Sequence, residues 1–161
     1  MFRRGWKLSL TIQQETGDGR TAAQTHRIIP LSHIPWVAYC MGWDVEYTDQ
    51  FGDWWEGLDA KEQASVSASV DLLELFGPGL RFPHSSDIKG SRHGNLRELR
   101  VQHAGRPYRV LYAFDPRRCA LLLIGGDKTG QDRWYDEHVP LADNLYDEHL
   151  ETLRNEGRND G

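Results

Sequence analysis

Between Arg97 and Tyr135 the chain carries groups that could act on a phosphate: Arg97, Arg100, Arg109 and Lys128, with the rings of Tyr108, Tyr112, Trp134 and Tyr135 nearby. Cations neutralise the charge that builds on phosphorus as a phosphodiester is attacked, and aromatic rings stack bases. A lysine, histidine or carboxylate can take the proton of an attacking hydroxyl. Arg97 stands on the same strand candidate as Arg100, and His93 and His103 lie in adjoining segments. The plain alternative is a solvated sheet face, where arginines are common. The pattern alone leaves both readings open.

Lys128 comes within LLLIGGDKTG (residues 121–130), which has the outline of a phosphate loop. The Walker pattern needs Gly-x-x-x-x-Gly-Lys-Ser/Thr feeding a helix. Here Asp127 precedes the lysine and Leu122 stands where the first glycine should be. The run reads instead as the last strand of a meander, with glycines that let the chain leave the sheet close to a substrate backbone. The tetrapeptide Tyr-Asp-Glu-His occurs at residues 135–138 and 146–149. One helix would align the two copies, but Pro140 between them is expected to break it. No metal or cofactor is expected.

Charge is unevenly distributed. Residues 41–76 hold nine acids and one base, residues 77–118 nine bases and three acids, and residues 133–161 eight acids and three bases. A basic centre between acidic flanks fits either a polyanion surface or acidic helices paired with a basic sheet. No run reaches the roughly 20 apolar residues of a membrane span. Ile28–Cys40 lacks the cleavage pattern of a signal peptide. Cys40 and Cys119 are isolated, which suits a reducing, cytoplasmic setting.

The elements that must hold these groups are legible in outline. WDVEYT (43–48) alternates as a strand does. Phe51, Trp54, Trp55 and Leu58 recur at helical spacing, and Asp59-x-x-Glu62 opens a second helix carrying Val66, Val70, Leu73 and Phe76. Gly77-Pro78-Gly79 stops it. After a polar loop, LRELRV (96–101), PYRVLYAF (107–114) and CALLLIGG (119–126) read as an antiparallel meander. The stretch from Pro140 onward reads as an amphipathic helix with Ala142, Tyr146, Leu150 and Leu153 on one face. The expected fold is α+β: an antiparallel sheet, made of the N-terminal strand and the meander, packed on one side by two N-terminal helices and a C-terminal helix. Residues 41–155 form the expected domain, with 156–161 a frayed tail. Residues 1–40 have no clean periodicity and are expected to form a hairpin or irregular arm, or to precede a natural start at Met41.

From Asp87 to Leu153 the chain resembles the RelE/HigB-like toxins of bacterial type II toxin–antitoxin modules, nearest the phage-derived HigB-like branch. The shared features are Lys-Gly before the first meander strand, L-R-E-L-R, G-x-x-Y-R-V-L-Y, an apolar strand, then G-x-K, an aromatic pair and a C-terminal helix. The resemblance implies a metal-independent endonuclease that cuts mRNA on the ribosome by attack of a 2′-hydroxyl on the adjacent phosphate. It implies Arg109 and Lys128 as phosphate-stabilising cations, with Arg100 and Arg97 on the neighbouring strand and Tyr135 or Trp134 as the ring that orients the RNA. Where better-known members have a lysine base, this chain offers Glu98 or His93. Lys89, Arg92, His93, Arg97, Arg106 and Trp134 are the expected RNA contacts. A helix-turn-helix antitoxin, with a possible higher-order complex, is the implied partner. The ParE-like branch, which inhibits DNA gyrase without these groups, and an inactive phage remnant are the alternatives.

Overall fold

A computed structural model describes residues 3–4 and 42–159 of the chain. Apart from the two-residue strand Arg3–Arg4, the expectations for residues 1–40, including Cys40 and the start at Met41, lie outside the described residues. In chain order the elements are β1 (Arg3–Arg4), β2 (Asp44–Tyr47), α1 (Asp49–Glu56), α2 (Ala60–Phe76), β3 (Ser85–Asp87), β4 (Leu96–His103), β5 (Arg106–Phe114), β6 (Cys119–Asp127) and α3 (Trp134–Asn159). They form a six-stranded sheet in the order β1-β2-β6-β5-β4-β3.

The α+β class and the meander are as the sequence predicts. Three features differ. The sheet is mixed, because β2 runs parallel to β6, pairing Asp44 with Cys119 and Tyr47 with Leu122. A parallel pair needs a long crossover, and α1, α2 and the meander supply it. Second, the helices cover both faces. Phe51, Val66, Val70 and Leu73 of α1 and α2 pack on Val45, Leu99, Val110 and Leu122. On the opposite face Val139, Ala142 and Tyr146 of α3 pack on Leu96, Leu111, Leu121 and Leu123. The continuous apolar run of β6 follows from this arrangement, since successive side chains enter different cores. Truncating Leu122 to Ala at such a fully buried site costs about 2–5 kcal/mol.

Third, α3 starts at Trp134 and runs unbroken through Pro140. The proline removes the donor for the Asp136 carbonyl, but both residues are exposed, so water can hydrate it. The helix continues to Asn159, through the first part of the segment expected to fray. Among the described residues no group of histidines, cysteines and acids is arranged to hold a metal, and no helix is long and apolar enough to cross a membrane.

Local chemistry sets the boundaries. Thr48 caps α1 by accepting from the Phe51 amide, and its hydroxyl donates to the Leu123 carbonyl, tying the helix to the sheet. Asp59 and Glu62 form the expected reciprocal cap of α2, with bonds of 2.8–2.9 Å. Ala104 and Gly105, both at positive φ, turn β4 into β5 in a two-residue hairpin.

Candidate active site

The β4–β5 register places Arg100 directly opposite Arg109. Side chains alternate across a strand, so Leu96, Glu98 and Arg100 share the α3 face, while Arg97, Leu99 and Val101 point to the other. Arg109 and Leu111 share the α3 face on β5 for the same reason. Two arginines facing each other would repel, and Glu98 lies between them as the common counter-charge. Its Oε1 accepts from Arg100 Nη1 at 3.1 Å and from Ser86 Oγ at 2.7 Å. Its Oε2 accepts from Tyr135 Oη at 2.7 Å and lies 3.6 Å from Arg109 Nε. The Glu98 side chain is 3% exposed.

Tyr135 reaches this carboxylate from the first turn of α3. Burial, then the hydrogen bond to Glu98, raises its phenol above the ordinary range, so it stays protonated at neutral pH. Lys128 follows β6 directly, and its backbone N–H donates to the Pro107 carbonyl, fixing the strand exit. Its ammonium stands over the Tyr135 ring, 5.3 Å from the centroid. Glu98, Arg100, Arg109, Lys128 and Tyr135 are thus one cluster, drawn from three elements and a strand exit.

Within it Arg109 is distinctive. The residue is 6% exposed. Its Nη1 donates to the Tyr108 carbonyl, yet its buried Nε lacks a hydrogen-bond partner. A desolvated guanidinium whose Nε makes only a long 3.6 Å pair with Glu98 can still turn its fork to an incoming phosphate.

The expected RNA contacts largely fall elsewhere. Trp134 is a core residue, 1% exposed and stacked on His138 at 4.2 Å, so it cannot stack on a base. Tyr135 is the ring left at the site. Arg97 points away, into the α2 side, where it binds Asp87 and the Pro78 and Leu80 carbonyls. Arg106 bridges Asp127 and Glu62 on that same side. Arg92 and His93 are held by Asp147, the histidine at 2.8 Å. Asp147 is twelve residues along α3 from Tyr135, about 18 Å at 1.5 Å per residue. His93 is therefore remote from Arg109, and Glu98 is the carboxylate at the site. Lys89 is exposed in the loop after β3. Arg117 is spent on Glu46 and Asp115. Much of the basic centre is thus neutralised inside the fold.

Ser86 is a site residue that the sequence reading passes over as part of a polar loop. Its only signal is the short alternation of Ser85, Ser86 and Asp87, too brief to identify an edge strand. The two glycines of β6 also differ from expectation. They lie within the strand and seat indoles: a Cβ on Gly125 would overlap the Trp54 ring, and one on Gly126 would come within 2.8 Å of Trp134 Nε1.

The sequence profile described as "Phage derived protein Gp49-like" matches residues 53–147, more than half of the chain and all of the cluster. The chain belongs to this phage-derived Gp49-like family. Two Mycobacterium tuberculosis proteins are similar to it. "Putative toxin HigB2" is 38% identical over 122 residues, covering 74% of this chain and 60% of that protein. "Putative toxin HigB3" is 46% identical over 91 residues, covering 56% of this chain and 78% of that protein. The chain therefore spans less than two thirds of the length of the first relative. These matches bear out the resemblance to the HigB-like branch.

Proposed function

We propose that the chain is the toxin of a type II toxin–antitoxin module and a metal-independent endoribonuclease that cuts mRNA on the ribosome in the cytoplasm. The observation that carries this reading is the buried Arg109, with unspent donor capacity, beside a carboxylate shared by Arg100, Ser86 and Tyr135. The HigB-named relatives support the toxin role. Glu98 takes the proton of a 2′-hydroxyl, and the resulting oxygen attacks the adjacent phosphorus. Arg109 and Arg100 neutralise the charge that develops on the non-bridging oxygens. The bond to the 5′-oxygen breaks as Lys128 supplies its proton, leaving a 2′,3′-cyclic phosphate and a 5′-hydroxyl. Glu98 then releases a proton to solvent and Lys128 takes one up. Tyr135 orients the carboxylate. A helix-turn-helix antitoxin covering this face is the partner that holds the toxin inactive, alone or in a higher-order complex.

The test is growth arrest on induction. Arg109→Ala and Lys128→Ala should each relieve arrest and abolish the mRNA cuts seen by primer extension. Full toxicity of both variants with no cleavage detectable would favour a non-nuclease target such as DNA gyrase and refute the proposal.

A further inference from the structure

Phe82 has the greatest exposure of the large apolar side chains among the described residues, at 74%, and it lies beside the cluster rather than away from it. It belongs to the loop between α2 and β3. The Arg100 N–H donates to the His84 carbonyl at 2.8 Å, which ties this loop along β4 at the level of the site. The Arg100 guanidinium stands over the Phe82 ring, 5.5 Å from its centroid, and reaches Glu98 Oε1 with Nη1 at 3.1 Å. Tyr135 meets the same carboxylate through its other oxygen. Two aromatic rings therefore adjoin the Arg100–Glu98 pair, Tyr135 half-buried at the carboxylate and Phe82 open to water at the guanidinium. Arg81 and His84, also exposed, complete a segment with no carboxylate.

We propose that Phe82 is a stacking platform for the nucleobase next to the scissile phosphate, and so a specificity-determining contact to single-stranded RNA. The inference rests on the nuclease reading above. A ring adjoining a guanidinium suits a nucleotide, which brings a π-face to the ring and a phosphate to the cation. An apolar protein surface would instead desolvate the Arg100 guanidinium without offering an acceptor to the N–H groups that Glu98 does not use. The sequence carries the signal as Arg-Phe-Pro-His, a large aromatic left in a polar loop between two basic side chains.

The experiment is steady-state cleavage of mRNA on programmed ribosomes by the full chain, read by primer extension. Phe82→Ala should raise KM roughly tenfold, the usual scale for losing one base–aromatic stack. It should also flatten the preference for the base beside the cut. Phe82→Trp should restore both, and Phe82→Leu neither. A wild-type chain that cuts, with Phe82→Ala leaving KM and base preference unchanged, overturns this inference alone, even if antitoxin binding falls. Recovery by Phe82→Leu equal to that by Phe82→Trp also overturns it, because the ring would then act only as a prop under Arg100. A wild-type chain that cuts no mRNA defeats the nuclease reading and this inference together.

Discussion

Glu98→Gln separates the chemistry of the cluster from its architecture. The substitution keeps volume and shape, so it opens no cavity. It removes the negative charge shared by two arginines and places an amide N–H₂ where one carboxylate oxygen accepted. The Arg109 pair is buried on both sides, 7% and 3% exposed, at 3.6 Å. Breaking a buried pair from one side typically costs about 3–5 kcal/mol, because the remaining charge is left uncompensated. Arg100 is 32% exposed, so its pair should add no more than about 1 kcal/mol. A loss near 3 kcal/mol lowers the thermal midpoint by roughly 10 °C in a domain of this size. On the rate, loss of a general base is worth about 100- to 10,000-fold. The assay is single-turnover cleavage of mRNA on stalled ribosomes, run well below the variant's own melting temperature, with calorimetry alongside. The expected result is a folded but less stable protein that is at least a hundredfold slower. Cleavage within threefold of the wild-type rate would show that Glu98 is not the base. An unchanged melting temperature would show that it does not neutralise Arg109.

Further outcomes follow from the same geometry. Arg109→Lys keeps the charge but loses the planar fork, and the single-turnover rate should fall about 100- to 1,000-fold. Gly125→Ala would drive a methyl group into the Trp54 ring, so urea denaturation should show a loss of about 1–3 kcal/mol with the far-ultraviolet dichroism retained. Asp115 lies in a buried knot with His149 at 2.9 Å and Arg117. Desolvation opposes its ionisation, but the His149 and Arg117 hydrogen bonds prevail and hold its carboxyl below the ordinary value. A depressed folded-state value means its stabilisation is complete above the unfolded value and lost as pH falls below about 4. The urea midpoint should drop through that range, and Asp115→Asn should lower the midpoint at neutral pH while flattening the acid limb. Equal acid sensitivity in the variant would place the titration on other carboxylates.

Local signals of the fold are legible in the sequence, and non-local ones are not. The Asp59–Glu62 cap, the α2 stripe of Val66, Val70 and Leu73 (though not Phe76, which ends the helix 53% exposed), and the three meander strands all follow from short-range chemistry. The parallel pairing of β2 with β6 joins residues some 75 apart, and nothing in WDVEYT states its partner or direction. Pro140 misleads because the cost of a proline depends on whether the freed carbonyl is hydrated, which is a property of the folded surface. The site is legible as a list of types but not as a selection. In LRELRV the leucines at 96 and 99 fall on opposite faces, so both faces are partly apolar and each carries an arginine. Only the register with β5 and the placement of α3 separate Arg100, at the cluster, from Arg97, which is consumed by Asp87 and backbone carbonyls. Trp134 and Tyr135 are adjacent and chemically similar. The first turn of α3 sends one into the core and the other to Glu98.

The central claim, that this cluster cuts RNA by internal attack of a 2′-hydroxyl, is tested most directly by the ends it leaves. Purified chain would be mixed with ribosomes programmed with mRNA carrying either ribose or a single 2′-deoxyribose at the cut site. The expected products are a 2′,3′-cyclic phosphate and a 5′-hydroxyl from the ribose substrate, with no cut in the deoxy substrate. Cleavage of both substrates, 5′-phosphate products, or no cleavage of either would contradict the claim.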